Sequence, residues 1–500
     1  MKWNIYCIGH DFTRDIEQIV ALFFEDPTLI FHRIEQKDIN EIAKPAMAIA
    51  MEYGEEVTVG IQLFPPKGDQ TYSISHGEKV EEEDGVARRK HCKRVMNKGL
   101  LKVLEHYAGM VQPWGILTGI RPTKLMHTLV QEGKKSEEAR HILREERLVT
   151  PEKIDLLQQI VDRQLKVLPD LYQLNEKEVS IYIGIPFCPT KCAYCTFPAY
   201  SIQGQRKLID PFIALLKEEI KLVGEYLKNA GRGVTTLYFG GGTPTSIEAS
   251  QMDELFQVIY DELPMDGVRE LTVEAGRPDT ITPEKLIVMK KWKVDRISIN
   301  PQSFTQGTLK GIGRHHTVAE TIEKYQLARS YGFSNINMDL IIGLPGETRK
   351  EVRESLVQAA SLRPESLTVH TLSFKRASEM TQHKEKYPVA GREEIHHMME
   401  MVTHWTGEEG YVPYYLYRQK NILGNLENVG YSLPEKESLY NIIIMEEKQT
   451  ILGLGCGAVS KIILPGTGKI IRFPNPKEPR YYVDHFQEIM SKKFAKLIEG

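Results

Sequence analysis

Short apolar segments alternate with longer amphipathic segments between residues 179 and 373. The apolar segments predict β-strands at 179–185, 236–239, 270–273, 296–299, 336–342 and 366–372. The amphipathic segments predict helices at 211–227, 249–263, 283–291, 318–331 and 350–362. This alternation predicts a parallel sheet, curved into a barrel or part of one, with its chemistry at the carboxyl ends of the strands. A doubly wound open sheet fits the same pattern and stays open as an alternative.

Three cysteines follow the first predicted strand within eight residues, in the run IPFCPTKCAYCTF, and they are Cys188, Cys192 and Cys195. Three thiolates on one short loop can bind three irons of a cubane iron-sulfur cluster and leave the fourth iron open. Structural zinc usually has four protein ligands, and neither a fourth cysteine nor a histidine lies within a dozen residues of this run. The other three cysteines are scattered along the chain, and we expect each to be a small buried side chain.

Polar residues stand at or near the ends of the other predicted strands. The turn GGGTPT at 240–245 follows the second strand, and its glycines predict close backbone approach with N–H and C=O groups free for a small ligand. Acidic, amide and cationic groups follow in the later part of the alternating region: Glu274, Gln302, Arg314 and Asp339. Burial of such groups beside apolar strands costs free energy unless they form a hydrogen bond or an ion pair. We therefore expect them to serve the open-iron site.

Charge balance and hydropathy limit the class of protein. The chain has 64 Lys and Arg against 67 Asp and Glu, a net charge of -3, which gives no basic signature of nucleic-acid binding. No run of eighteen apolar residues is present, so the sequence predicts no membrane span. Six cysteines without a signal peptide favour a reducing compartment, and we expect a cytoplasmic protein.

The length of 500 residues predicts two or three domains. We expect an N-terminal α/β domain with a helical connector at 1–170, a barrel core at 171–375 and a C-terminal α+β domain at 376–500. In the first domain, strands are predicted at 3–8 and 57–64 and helices at 16–24 and 98–107. The acidic run 81–84 predicts a solvated loop, and the segment 117–124 predicts either an anion site or a helix start.

At these motifs the chain resembles the radical S-adenosylmethionine (SAM) superfamily. The resemblance rests on the Cys-x3-Cys-x2-Cys loop, GGGTP at 240–244, VEAG at 273–276 and DLIIGLPG at 339–346. The runs IYIGIPFC at 181–188 and NPQSF at 300–304 resemble the oxygen-independent coproporphyrinogen III oxidase family. This resemblance covers about residues 175–460, and it is strongest to a longer branch of coproporphyrinogen dehydrogenases from Gram-positive spore formers. It implies a partial parallel (β/α)6 radical SAM barrel.

The resemblance also implies cofactor ligands. The three cysteines would bind a [4Fe-4S] cluster whose open iron takes the amino and carboxylate groups of SAM, and reduction would give methionine and a 5′-deoxyadenosyl radical. A first SAM is implied at Tyr182, Gly241 and Glu274, with Val459 as a lining residue. A second SAM is implied at Tyr194, Gly242, Thr243, Gln302, Arg314, Asp339 and Ser373.

The implied activity is the oxidative decarboxylation of two propionate groups of coproporphyrinogen III, which gives protoporphyrinogen IX in haem biosynthesis. An unidentified reductant would supply the electron that starts the chemistry, and an unidentified acceptor would take one electron from the substrate. The substrate is a tetracarboxylate, so we expect cations to contact it. The candidates are Arg121, Arg418 and Lys420.

A second function stays open, that of a radical-SAM-like haem chaperone without oxidase activity. The oxidase branch has a fourth cysteine two residues after the third, whereas this chain has Phe197, which is typical of the chaperone branch. Gly184 also replaces a histidine of the oxidases. The His-Asn and Tyr-Trp pairs of the chaperone branch are incomplete here, because the chain reads Glu427-Asn428 and Tyr431-Ser432. A radical SAM enzyme with another substrate is a third interpretation, since the fold does not fix the chemistry.

Overall fold

The computed structural model describes residues 2–24, 26–35, 43–67, 70–80, 85–119, 121–375, 377–419 and 422–499. The chain forms two compact units, Met1–Gln159 and Ile160–Gly500. No helix in the described part of the chain is both long enough and apolar enough to cross a membrane.

A five-stranded sheet forms the centre of the first unit, in the order β2-β1-β3-β4-β5. Its strands are β1 (Lys2–Ile8), β2 (Thr28–Arg33), β3 (Ala46–Tyr53), β4 (Glu56–Phe64) and β5 (Tyr72–Lys79). The helices are α1 (Thr13–Val20), α2 (Gly85–Ala108), α3 (Thr123–Gln131), α4 (Ser136–His141) and α5 (Pro151–Val167), the last of which continues into the second unit. Strand β1 is parallel to both of its neighbours, whereas β3, β4 and β5 are antiparallel to one another.

Apolar side chains of β1, β3 and β4 pack against α1 and α2 to form the core of this unit. The predicted strands at 3–8 and 57–64 lie in β1 and β4, and the predicted helices overlap α1 and α2, so the α/β character of the unit is confirmed. Helix α3 begins at Thr123, in agreement with the helix start predicted at 117–124. The acidic run 81–84 lies outside the described residues.

An eleven-stranded sheet runs through the second unit. Its centre consists of six strands in sequential order, all parallel to their neighbours. They are β6 (Glu178–Ile185), β9 (Gly233–Gly241), β10 (Glu270–Glu274), β11 (Arg296–Ser298), β12 (Ile336–Ile342) and β13 (Ser366–Thr371). Two short strands, β7 (Phe187–Cys188) and β8 (Tyr200–Ser201), pair with each other after β6. All six strands predicted from the sequence are confirmed.

Helices connect the six central strands. They are α6 (Arg206–Asn229), α7 (Ala249–Glu262), α8 (Pro283–Lys291), α9 (Gln306–Gly311), α10 (Val318–Ser330) and α11 (Arg349–Leu362). Threonine side chains cap the first turns of α8, α10 and α11, where Thr282, Thr317 and Thr348 accept backbone N–H groups. A doubly wound sheet reverses its strand order, whereas these strands follow one another without reversal. The partial (β/α)6 barrel is therefore confirmed.

The C-terminal segment adds strands to both edges of this sheet. On the β13 side lie the antiparallel strands β15 (Asn428–Ser432) and β14 (Val412–Tyr417). On the β6 side lies the parallel strand β16 (Ile451–Gly455), followed by the antiparallel β17 (Val459–Ile463) and β18 (Ile470–Pro474). The helices are α12 (Glu379–Gln382), α13 (Arg392–Glu408), α14 (Leu439–Glu446), α15 (Pro479–Asp484) and α16 (Phe486–Glu499). The predicted domain boundaries at 170 and 375 stay predictions.

Helix α14 lies at the amino ends of the central strands. Glu270, the first residue of β10, accepts hydrogen bonds from the Ser438 hydroxyl and from the N–H groups of Leu439 and Tyr440 at 2.9–3.1 Å. Arg296, the first residue of β11, donates to the carbonyl of Lys436 at 2.9 Å. Because these contacts occupy the amino ends, the loops that can carry chemistry lie at the carboxyl ends.

Candidate functional site

The three cysteines of the sequence motif lie on one loop after β6. Cys188 is the last residue of β7, and the N–H of Cys195 donates to the carbonyl of Cys192 at 3.0 Å. The N–H of Ala193 donates to the carbonyl of Ile312 at 3.0 Å, which attaches the loop to the end of α9. Cys188 and Cys192 are buried and Cys195 is half-buried.

Two of the three sulfur atoms have polar partners from other strand ends. The Thr243 hydroxyl lies 3.3 Å from Cys188 Sγ, and Arg277 Nη1 donates to Cys192 Sγ at 3.9 Å. Burial raises the pKa of the Cys188 thiol to about 12 and also raises the pKa of Cys195. These two sulfurs therefore need a bound cation to become thiolates at neutral pH.

This set of sulfur atoms fits an iron-sulfur cluster better than a single metal ion. Within the described ranges, no three His, Cys, Asp or Glu side chains are grouped around one metal-ion position. A cubane needs no such common point, because each of its thiolate ligands binds a different iron. Three soft donors, two of them buried beside a hydroxyl or a guanidinium, suit such a cluster, with Cys188, Cys192 and Cys195 as its ligands.

The glycine-rich turn after β9 packs against the end of the first strand. The N–H of Gly242 donates to the carbonyl of Ile185 at 2.7 Å, and the N–H of Thr243 donates to the carbonyl of Phe187 at 2.8 Å. The prediction that N–H groups of this turn are free for a ligand is therefore wrong for these two residues. A Cβ on Gly242 would lie 2.6 Å from the Phe187 oxygen, and Gly241 has a φ of 108°, so the close approach requires glycine. The contacts of these residues with SAM stay predictions.

Glu274 ends β10 beside a column of tyrosine rings. Tyr182, Tyr238 and Tyr440 are stacked with centroid distances of 4.3–6.1 Å, and the Tyr238 hydroxyl donates to Glu274 Oε1 at 2.6 Å. Burial raises the pKa of Glu274 to about 7; the Tyr238 hydrogen bond opposes this shift and the charge of Asp339 adds to it. Such a carboxylate gains from a cationic or N–H donor partner, and the amino group of SAM is one.

Asp339 of β12 lies next to His370 of β13. Asn337 Nδ2 donates to Asp339 Oδ1 at 2.8 Å, and His370 Nε2 lies 3.5 Å from Asp339 Oδ2. His370 Nδ1 is in turn 3.2 Å from the Tyr417 hydroxyl. Burial would raise the pKa of Asp339, but the hydrogen bonds from His370 and Asn337 outweigh it and lower the pKa. Asp339 is therefore ionised at neutral pH, whereas Glu274, with a pKa of about 7, is about half protonated there.

Arg314 is buried and joins the cysteine loop to the segments after β10 and β11. Its Nη1 donates to the Tyr194 hydroxyl at 3.2 Å, and its Nη2 donates to the carbonyls of Gly276 and Asn300, both at 2.8 Å. Arg314 Nε and Asn300 Oδ1 are buried without a hydrogen-bond partner among the described residues. Unsatisfied buried atoms of this kind mark a place where a polar ligand would be stabilised.

Of three further predicted cofactor residues, Gln302 is hydrogen-bonded to Asp339, whereas Ser373 and Val459 lie on other segments. Gln302 is buried with a φ of 66°, and its N–H donates to the carbonyl of Asp339 at 2.9 Å. Ser373 is buried and forms an isolated bridge with Ile422. Val459 begins β17 and is 37% exposed. Their contacts with SAM stay predictions.

Gly184 and Phe197 are the two positions that depart from the oxidase motif. A Cβ on Gly184 would overlap the carbonyl oxygen of Cys456, so the residue that follows β16 leaves no room for a histidine. Phe197 is exposed, and Lys375 Nζ lies 5.6 Å from the centre of its ring.

The three predicted substrate cations have different surroundings. Arg418 is buried and donates to Asn425 Oδ1 at 2.6 Å, and burial lowers its pKa to about 10. It is therefore not an exposed surface cation. Arg121 is half-buried and belongs to the first unit, and Lys420 lies outside the described residues. Their contacts with propionate stay predictions.

Sequence reasoning missed Tyr238, Arg277, His370 and Tyr417. Tyr238 is two residues before Gly240, so strand alternation could have placed it on the same face as the glycine-rich turn. Arg277 comes three residues after Glu274, but its sulfur partner depends on the path of the cysteine loop. His370 and Tyr417 lie on β13 and β14, which are separated by β15 in the sheet, so their contact could not be inferred from the strand pattern.

Comparisons with known proteins agree with this geometry. Residues 182–359 match the Radical SAM superfamily. The chain is 54% identical over 486 residues to the oxygen-independent coproporphyrinogen-III oxidase-like protein HemZ of Bacillus subtilis, covering 97% of this chain and 95% of that protein. It is 38% identical over 194 residues to the heme chaperone HemW of the same species, covering 39% of this chain and 50% of that protein. Coproporphyrinogen III oxidase (HemN) from Escherichia coli shares the fold with a TM-score of 0.51 and 20% identity, over 65% of this chain and 72% of that one.

Proposed function

This chain belongs to the family of oxygen-independent coproporphyrinogen-III oxidase-like proteins in the radical SAM superfamily, and we propose that it decarboxylates coproporphyrinogen III without oxygen. Two propionate groups would become vinyl groups, giving protoporphyrinogen IX. The observation that supports this function is a three-cysteine loop that follows β6 of the same sheet whose strands β10 and β12 carry Glu274 and Asp339, two carboxylates with opposite pKa shifts.

Conversion of one propionate to a vinyl group removes one hydrogen atom, one carbon dioxide and one electron. When bound, a reduced [4Fe-4S] cluster and SAM supply a 5′-deoxyadenosyl radical, which can abstract the hydrogen atom from the propionate β-carbon. The electron requires a one-electron acceptor, and the cluster requires a one-electron reductant. The protein's task is to bind, orient and shield these groups.

The two carboxylates, Glu274 and Asp339, are suited to different SAM molecules. Glu274, held by Tyr238, is suited to the amino group of the first SAM. Asp339 is ionised and held by Asn337 and His370, so it is suited to ribose hydroxyls of a second SAM. Arg314, with its unsatisfied Nε, is suited to a carboxylate of that second molecule.

Aromatic and apolar groups would keep water from these polar atoms. The stacked rings of Tyr182, Tyr238 and Tyr440 lie beside Glu274, and Tyr440 belongs to α14, the helix that occupies the amino ends of the strands. Water excluded from this side strengthens the electrostatic contacts of Glu274 and protects reactive carbon centres from side reactions.

Haem binding without decarboxylation is the second candidate function. It is supported by Phe197 at the position of the oxidases' fourth cysteine, and by the 38% identity to HemW. Phe197 is exposed on the cysteine loop, where it offers an apolar surface to a flat macrocycle.

Anaerobic turnover separates the two functions. Reconstituted protein is incubated with dithionite, SAM and coproporphyrinogen III, and both 5′-deoxyadenosine and decarboxylated tetrapyrroles are measured. The oxidase function predicts both products, and it predicts that Cys192→Ala abolishes both while Cys92→Ala, a buried cysteine of the first unit, retains them. Haem binding by a reconstituted protein that forms neither product would contradict the oxidase function and support the chaperone function.

A further inference from the structure

Arg277 connects the cysteine loop to the segment after β10. It is buried, with 4% of its surface exposed. Its Nε and Nη2 atoms donate to the two carboxylate oxygens of Asp279, both at 3.0 Å. Its Nη1 atom donates to the Thr190 hydroxyl at 3.1 Å and to Cys192 Sγ at 3.9 Å. One planar side chain thus spans from a carboxylate to the sulfur-bearing loop.

The geometry of this contact is specific to arginine. A guanidinium is a rigid fork, so the bidentate contact with Asp279 fixes its plane and directs Nη1 toward Thr190 and Cys192. A lysine ammonium would keep the charge, but it could not contact Asp279 and Cys192 at the same time. Asp279 compensates the buried positive charge, so the arrangement does not depend on a bound ligand.

We propose that Arg277 is a positioning residue that holds the cysteine loop and, through its bond to Cys192, raises the reduction potential of the cluster bound there. The proposal rests on the cluster ligation of the proposed function. A cluster gains negative charge on reduction, and hydrogen bonds to its sulfur ligands are one means by which proteins set its potential. The Nη1 donor and the guanidinium charge both stabilise the reduced form relative to the oxidised form.

The test is a redox titration of the full chain with a reconstituted cluster, in the absence of SAM and tetrapyrrole. The fraction of reduced cluster is measured by electron paramagnetic resonance at a series of fixed potentials. Arg277→Gln is expected to lower the ratio of reduced to oxidised cluster roughly tenfold at a given potential, which is about 59 mV for a one-electron couple. Arg277→Lys retains the charge but not the planar guanidinium, so a smaller decrease in the reduction potential is expected. If Arg277→Gln does not fold, the potential of Arg277→Lys tests the proposal.

Arg296 provides the matched control. It is equally buried, at 2% exposure, and makes several hydrogen bonds, but it lies at the amino end of β11. Arg296→Gln is expected to lower stability and leave the potential unchanged. An unchanged potential in both Arg277 variants, or an equal shift in Arg296→Gln, would overturn the proposal. Failure of the unsubstituted chain to assemble any cluster would overturn both this proposal and the proposed function, whereas a cluster without decarboxylation would overturn only the proposed function.

Discussion

A buried carboxylate, Glu219 of α6, fastens the C-terminal segment to the barrel. Its two oxygens accept hydrogen bonds from Lys493 Nζ and the Tyr482 hydroxyl, both at 2.6 Å, from the Gly455 N–H at 2.8 Å and from Asn475 Nδ2 at 3.0 Å. The side chains of Glu219 and Lys493 are 0% and 1% exposed. Glu219→Ala therefore leaves a buried ammonium without its counter-charge.

The expected loss follows from these contacts. Removing one partner of a buried ion pair costs about 3–5 kcal/mol, since the remaining charge is desolvated and uncompensated. The loss of an acceptor for Tyr482, Asn475 and Gly455 acts in the same direction. This is a large part of a total stability of roughly 5–15 kcal/mol.

Hydrogen–deuterium exchange measures this change locally. Peptides from α16 and β16 are expected to lose protection by roughly 10²-fold to 4 × 10³-fold in Glu219→Ala, because each factor of ten corresponds to about 1.4 kcal/mol. Peptides from β3 and β4 of the first unit are the internal reference and should not change. The double variant Glu219→Leu with Lys493→Met removes both charges and should recover much of the protection. Protection in Glu219→Ala within about fivefold of the unsubstituted chain would refute this reasoning.

The remaining predictions concern the site. The ordinary pKa of Glu274 is 4.5 and its folded-state pKa is about 7, so the folded state binds more protons between these values. The free energy of unfolding of the apo protein should therefore fall by up to about 3 kcal/mol as pH rises from about 4.5 to 7. Glu274→Gln should remove this pH dependence when the unfolding free energy is measured with urea. An equal pH dependence in the variant and the unsubstituted chain would contradict the prediction. Tyr238→Phe removes a hydrogen bond to the carboxylate, so the slope should extend to higher pH in the same titration. Gly184→Ala should cost roughly 1–3 kcal/mol, because its Cβ meets the Cys456 carbonyl, whereas Gly307→Ala, in open space on α9, should not lower the stability and should raise it by up to about 1 kcal/mol, measured by thermal unfolding.

Local sequence pattern was sufficient for the barrel because each strand is a short apolar run bounded by turns. The strand at 336–342 was predicted to the residue, since its apolar residues lie between polar turns. The position of β16 beside β6 could not be predicted, because that pairing joins residues more than 250 positions apart.

The site shows the same division between local and distant information. The spacing of the cysteines identifies them as candidate ligands, and the position of Glu274 after an apolar strand identifies it as a candidate binding residue. Arg277 has no such signal, because a cation after a strand is usually solvated and only the folded loop brings it to Cys192. The glycine-rich turn was interpreted as a source of free N–H groups, but the carbonyls of Ile185 and Phe187 take two of them. Sequence spacing identifies which residues can bind, whereas the fold decides which of their atoms are available.

The most direct test of the proposed function is the fate of hydrogen from the propionate side chain. Coproporphyrinogen III deuterated at the propionate β-carbons is incubated anaerobically with the reconstituted chain, SAM and dithionite, and 5′-deoxyadenosine is analysed by mass spectrometry. The oxidase function predicts deuterium in the 5′-deoxyadenosine together with vinyl-bearing tetrapyrrole. Unlabelled 5′-deoxyadenosine with intact propionates would contradict it, since the radical would then have taken hydrogen from another source.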